Sequence, residues 1–271
     1  MASYRNQRGF SLIELVMVIV ILGVVGATVA VFMRKPVDAY VDTSRRAALS
    51  DLADTAVRRI ARDVRRALPN SVRNPSNQCI EFIPTRTGGR YRAETTSAGA
   101  GDILDFGIAD TSFGVFADLS SLPADQQVVS GDVVVVYNLG IPGADAYAGD
   151  NSAVVASVAT GAESTITMAA KQFPLASAAN RFHVVPGDEK IVSFVCSGGR
   201  LLRSSNHSYA SSCPTTGATV AVLAHQVSAC NFVYNDNDLQ RNAQVQMTIV
   251  LTDTSGDSVS LYHEVHVSNT P

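Results

Sequence analysis

A run of 24 residues, Phe10 to Met33, contains no lysine, arginine or aspartate, yet it holds one carboxylate, Glu14, near its start. As a helix rising 1.5 Å per residue the run extends about 36 Å, enough to cross the roughly 30 Å hydrocarbon core of a bilayer with some tilt. A carboxylate at mid-bilayer costs on the order of 2.5–3.5 kcal/mol, less near the interface, and is retained where it finds a partner. No cation lies inside the run, so the partner has to come from another chain or from a newly made terminus. Cleavage between Gly9 and Phe10 creates one: an α-amino group with a reference pKa of about 8, four residues or roughly 6 Å from Glu14 along the axis. A helix staggered against a neighbour then pairs Glu14 with the neighbour's Phe10 amine. A secretory signal competes, because Arg5 and Arg8 form a positive flank and Ala27 to Ala30 is rich in small residues. Such signals have apolar cores of about 7–15 residues, shorter than this run.

The stretch "RGFSLIEL", with Gly9 before a Phe and Glu14 fifth after the cut, resembles the class III leader of type IV prepilins and type II secretion pseudopilins. The resemblance implies a leader, residues 1–9, removed by a membrane-embedded prepilin peptidase that cuts after Gly9 and methylates the Phe10 amine. It implies a transmembrane helix over 10–33 and a role for Glu14 in assembly with other major and minor pilins on an inner-membrane platform. The place it implies is the inner membrane, single-pass, with the C-terminal domain in the periplasm, and then the pilus filament or its tip.

Beyond Met33 the helical pattern continues. Leu49, Leu52 or Ala53, Ala56, Ile60, Val64 and Leu68 recur at spacings of three and four and line one face. Residues 34–69 read as an amphipathic continuation ended by Pro69, with Pro36 kinking the join or marking a flexible neck. Arg58, Arg59, Arg62, Arg65, Arg66 and Arg73 make this stretch locally basic, but Asp63 interrupts it and no aromatics interleave. Together with a net charge of −3, that pattern gives no reason to expect nucleic-acid binding.

From Asn70 onward, residues 70–271 alternate with period two or form short apolar runs between Gly, Pro, Asn and Asp, which predicts a β-rich head. Strands are expected at 79–83, 103–108, 133–137, 153–158, 165–168, 181–185, 191–196, 201–204, 219–223, 229–234, 244–251 and 258–267. "CSGGRLLR" reads as a hairpin turning at Gly198 and Gly199, and Thr85 to Gly101 as a mobile surface loop. The fold class is α+β: a type IV pilin-like long N-terminal transmembrane and amphipathic helix packed on a β-rich globular head.

Four cysteines, Cys79, Cys196, Cys213 and Cys230, lack CxxC or zinc-ligand spacing and read as one or two disulfides in an oxidising compartment. Four buried thiols are the alternative. Of the three possible pairings, Cys196 with Cys213 closes a short loop and leaves Cys79 with Cys230. His263 and His266, three apart on a strand, point to opposite faces and are not a metal pair. "NDND", Asn235 to Asp238, lacks the spacing of an EF-hand and reads as a polar turn. Asn206-His207-Ser208 is a glycosylation sequon with no expected use. No GxSxG, GxGxxG or Walker A element is present, so neither catalysis nor a cofactor is expected.

"RDVRRALPNSVR", "GGRYRAE", "VVVVYNLG", "ADAYAG", "ACNFVY" and "YHEVHVSNTP" resemble the O-type minor pilins of mannose-sensitive haemagglutinin (MSHA) pilus biogenesis, relatives of W-type minor pilins and J-type minor pseudopilins. That resemblance implies a minor subunit for pilus assembly or initiation. The alternatives are a J-type pseudopilin of type II protein secretion and a tip adhesin that binds a surface ligand.

Overall fold

The computed structural model describes residues 9–206, 209, 213, 219–234 and 242–271. One helix, α1 (Leu12–Val64), is followed by strands β1 (Arg73–Ser76), β2 (Cys79–Phe82), β3 (Thr87–Arg90), β4 (Asp110–Val115), β5 (Val133–Val136), β6 (Ser152–Ala159) and β7 (Ser164–Lys171). Then come β8 (Arg181–Val185), β9 (Ile191–Ser197), β10 (Arg200–Asn206), β11 (Thr219–His225), β12 (Val227–Tyr234), β13 (Asn242–Thr252) and β14 (Ser258–Ser268). The chain divides into two compact units, residues up to Ala48 and Leu49–Pro271. In the first unit α1 is exposed along its length and is long and apolar enough to cross a membrane. Pro36 lies inside the helix and does not end it.

In the second unit Leu49, Ala53, Ala56, Val57, Ile60, Ala61 and Val64 form the buried face of α1. They share one core with Ile80, Phe82, Val192, Phe194 and Leu201 of a five-stranded sheet, order β1-β2-β9-β10-β11. Phe232, Val245, Met247, Ile249, Val265 and Val267 of a three-stranded sheet, order β12-β13-β14, complete it. The helix stops at Val64, earlier than the expected Leu68. Arg66 and Ala67 donate to carbonyls three residues back, a tightened last turn, and Leu68 N–H then bonds the Ile83 carbonyl at 2.8 Å. Pairing with the segment after β2 therefore takes the chain out of the helix before Pro69 can.

Between β2 and β9, which pair directly with Phe82 opposite Val192, a third sheet is inserted, order β3-β8-β5-β6-β7-β4. Its two ends meet: Tyr91 bridges Val115, Arg92 N–H bonds the Gly114 carbonyl at 2.8 Å and Phe116 N–H the Arg90 carbonyl at 3.2 Å. The sheet is thus a closed six-stranded barrel with a core of its own, including Tyr91, Phe113, Val134, Val136, Ile166, Phe182 and Val184. On β5, Val134 and Val136 point into the barrel, while Val133 and Val135 join Leu68, Ile83 and Val185 outside it. All four are buried because both faces of that strand are covered.

Two expectations fail here. Thr85 to Gly101 is not all loop: it contains β3 and the fully buried Tyr91. Gly88 is glycine because a Cβ there would stand 2.8 Å from the Phe182 carbonyl oxygen, a close backbone approach and not a flexible link. Residues 103–108 form no strand, since side-chain carboxylates capture the backbone: Asp110 accepts from Asp105 N–H at 2.8 Å and Asp105 from Gly107 N–H at 2.7 Å. The strand is displaced to β4. By contrast, β9 and β10 turn at Gly198 and Gly199, both with positive φ, as the two-residue hairpin requires.

The disulfides are Cys79–Cys213 and Cys196–Cys230, so the short-loop pairing is corrected. Cys79 stands opposite Val195, which puts Cys196, the next residue, on the other face of the sheet. There Cys196 packs with Cys230 on the helix-side core. Cys79 shares its face with Glu81, whose buried carboxylate accepts the Cys213 N–H at 2.6 Å and is also ion-paired with Arg73.

Candidate functional site

Three polar side chains interrupt the apolar run from Phe10 to Met33: Ser11, Glu14 and Thr28. Ser11 precedes the first helical residue, and its hydroxyl accepts the Glu14 N–H at 3.3 Å. Its carbonyl accepts the N–H groups of Glu14 at 3.1 Å and Leu15 at 3.2 Å. Ser11 is therefore the N-cap, and the Ser-x-x-Glu spacing could have shown it beforehand. Thr28 donates its hydroxyl to the Val24 and Val25 carbonyls at 3.1 and 2.8 Å, the back-bond that lets a hydroxyl sit in apolar surroundings. Both hydroxyls are thus satisfied within their own helix. Glu14 is not: among the described residues its carboxylate takes up no hydrogen bond and no ion pair, and it is exposed. It sits in the first turn, where the helix dipole favours a negative charge. Gly9 and Phe10 precede the helix in non-helical backbone, and nothing lies within 4 Å of where a Gly9 Cβ would be.

The arginines of the second helical stretch do not form a continuous basic surface. Arg58 pairs with Asp54 at 2.6 Å, Arg59 with Asp63 at 3.4 Å, and Arg66 donates to the Thr85 carbonyl at 3.3 Å. Arg73 lies over the Tyr147 ring, 3.8 Å from its centroid, and binds Glu81. Burial pushes the Tyr147 hydroxyl pKa well above its ordinary value, and it donates to the Ser71 carbonyl at 2.9 Å.

Arg73, Tyr147, Asn70, Asp145, Tyr234 and Asn269 line a cavity of about 400 Å³. Asn70, with φ at 58°, binds Asn138 and Asn269 there, tying the turn after α1 to the barrel and to the end of β14. Five of the six segments that carry the minor-pilin resemblance supply this junction. His263 faces inward and His266 outward on β14, and no group able to hold a metal ion occurs among the described residues. Residues 207–208 and 235–241, and with them most of the sequon and the NDND turn, lie outside the described residues.

A family profile described as the prokaryotic N-terminal methylation motif matches residues 4–30. The motif is type IV prepilin-like and implies processing by a prepilin peptidase and assembly with other pilins. Neither a curated protein nor a solved structure matches the chain.

Proposed function

We propose that the chain is a minor pilin of an MSHA-type type IV pilus, made as a prepilin in the inner membrane with its head in the periplasm, and acting by assembly, not catalysis. The observation that carries this reading is Glu14, the one polar side chain of the apolar run left unsatisfied by its own helix, four residues from Phe10. Cleavage after Gly9 supplies the missing cation as the Phe10 amine, and methylation keeps its charge. Glu14 attracts that amine on an adjacent subunit and so sets the axial register as the helix leaves the bilayer. Expressing Gly9→Ala and Glu14→Ala variants, with leader removal and piliation scored separately, tests it. The first blocks processing; the second is processed but assembles poorly. Normal assembly of both overturns the reading.

The inserted barrel favours a further role at the tip, in which this subunit also binds a surface ligand. The barrel has its own core and its two ends enter at adjacent, directly paired strands. Replacing residues 86–188 by a short turn then removes surface binding while incorporation persists. Loss of incorporation in a folded variant rules against it.

A further inference from the structure

β14 is an edge strand of eleven residues, and it pairs with β13 in unbroken register from Asn242 opposite Ser268 to Thr252 opposite Ser258. Its other side is open: among the described residues no backbone group of Ser258–Ser268 bonds to anything except β13. At about 3.4 Å per residue this leaves an open ladder of roughly 37 Å, along which alternate residues turn both N–H and C=O outward.

Exposed edges in folded proteins are ordinarily blunted by lysine, proline, a bulge, short length or a covering element. Other edges of this head carry such devices. β1 is four residues long, contains Pro75 and has a register shift. β11 has a shift opposite Leu201 and Leu202, and β4 is closed against the end of β3. β14 contains no lysine, no proline and no shift.

An open ladder specifies its occupant more narrowly than an apolar face does, because only another extended backbone matches its alternating donors and acceptors. The side-chain rows narrow it further. On the inward row Val265 and Val267 are buried, while Val259, Leu261 and His263 remain half-buried, so the incoming strand places apolar residues beside those three. The outward row, Ser260, Tyr262, Glu264 and His266, is exposed, and the Tyr262 hydroxyl donates to Glu264. A lysine or arginine facing Glu264 completes that row.

We propose that β14 docks an extended β-strand from the head of another pilin-like subunit, adding a fourth strand to the sheet. This rests on the proposed role in assembly, since the other pilins it implies are the partners at hand.

Amide hydrogen exchange tests it, comparing the full chain alone in detergent with the full chain incorporated among other pilins. The expected result is fast exchange at alternate amides of Ser258–Ser268 in the isolated chain and slowing by about 100-fold after incorporation. Unchanged exchange in incorporated chain overturns the docking strand but leaves the assembly reading standing, whereas failure of the wild-type chain to incorporate defeats both. Protection already present in the purified chain, rising with its concentration, makes the occupant a second copy and overturns the proposal as stated. Leu261→Pro and Tyr262→Pro supply a second measurement, because one of any two adjacent N–H groups faces β13 and the other faces the open edge. The variant that leaves the head's melting temperature unchanged is expected to be processed normally but incorporated poorly; normal incorporation overturns the proposal.

Discussion

Arg203 of β10 reaches Asp63 of α1 with its Nε 2.8 Å from Oδ2, and its Nη1 lies 2.7 Å from Oε1 of Glu189, just ahead of β9. Arg203 stands opposite Phe194, so it shares the helix-facing side of the sheet and extends the apolar contact with a charged one. Burial disfavours the guanidinium charge, but the hydrogen bonds it donates to Glu189 and Asp63, with their negative charge, outweigh that, and the Arg203 pKa is raised. Both Arg203 and Asp63 are largely buried, with side chains 14% and 12% exposed. Removing Arg203 leaves the buried Asp63 carboxylate with the longer, more exposed Arg59 at 3.4 Å as its remaining ion pair, and removing Asp63 leaves Arg203 with Glu189.

Arg203→Ala is accordingly expected to destabilise the head by about 3 kcal/mol, read as a lower denaturation midpoint of the full chain in detergent. Asp63→Ala in the same background is expected to add less than it removes alone, because the two act as a unit. Additive losses would show that the pair is not coupled.

The disulfides differ in what they constrain. Cys79–Cys213 joins residues 134 apart and Cys196–Cys230 joins residues 34 apart. Loop-closure entropy alone assigns about 5 kcal/mol to the first and about 4 kcal/mol to the second, as upper figures. Because the loops overlap in sequence, losing both is expected to cost less than the sum. Mass mapping of non-reduced peptides checks the pairing directly: a peptide linking Cys196 to Cys213 would contradict it. Cys79→Ser with Cys213→Ser, and Cys196→Ser with Cys230→Ser, check the energetics by denaturation.

Legibility in the sequence followed the range of the forces involved. The buried helix face from Leu49 to Val64, the Gly198-Gly199 turn and strand β8 are set by local periodicity and turn chemistry, and each is readable in a short window. The barrel is not, because its closure depends on Tyr91 meeting Val115, a pairing that local pattern does not encode. Glycine misled for a related reason. Gly88 and Gly89 have the composition of a loop, yet Gly88 permits two backbones to approach and Gly89 leaves room for the Phe182 ring, demands visible only once Phe182 is in place. Cysteine pairing likewise follows strand register, not loop length. At the N-terminus, by contrast, Glu14 stood out as a charge without a local partner, and the helix geometry adds Ser11 as the cap beside it.

His183 predicts how the barrel responds to acid. It lies on β8 facing Val135, its Nε2 is buried without a hydrogen-bond partner, and burial, reinforced by the positive charge of Arg181, lowers its pKa to about 4 from 6.5. The folded state thus holds His183 neutral where the unfolded chain protonates it. Stability is complete above the unfolded value, falls as pH drops through the window between 6.5 and 4, and is lost in full below about 4. The effect is of order 3 kcal/mol. Urea midpoints at pH 7 and 4.5 are expected to diverge in the wild-type chain and to converge for His183→Leu. Equal pH dependence in both would assign the effect to other groups.

Gly88 tests whether the barrel closes as a single packed unit. Its strand pairs with β8 in the register Gly88 to His183, and an added Cβ would meet the backbone oxygen of Phe182, which has no rotamer by which to withdraw. Strands β3 and β8 would have to separate, disturbing the edge-to-face contact of Phe182 with Phe113, whose ring centroids are 5.3 Å apart. Gly88→Ala is therefore expected to cost about 2–3 kcal/mol and to weaken the near-ultraviolet circular dichroism from the barrel's aromatic rings. Gly161→Ala is the matched control. The nearest atom to its Cβ is the Glu163 carbonyl oxygen at an ordinary 3.5 Å, so its effect is expected to stay within about 0.5 kcal/mol. Equal, small effects at both positions would mean that β3 is free to shift away from β8 and that the barrel is open at that seam.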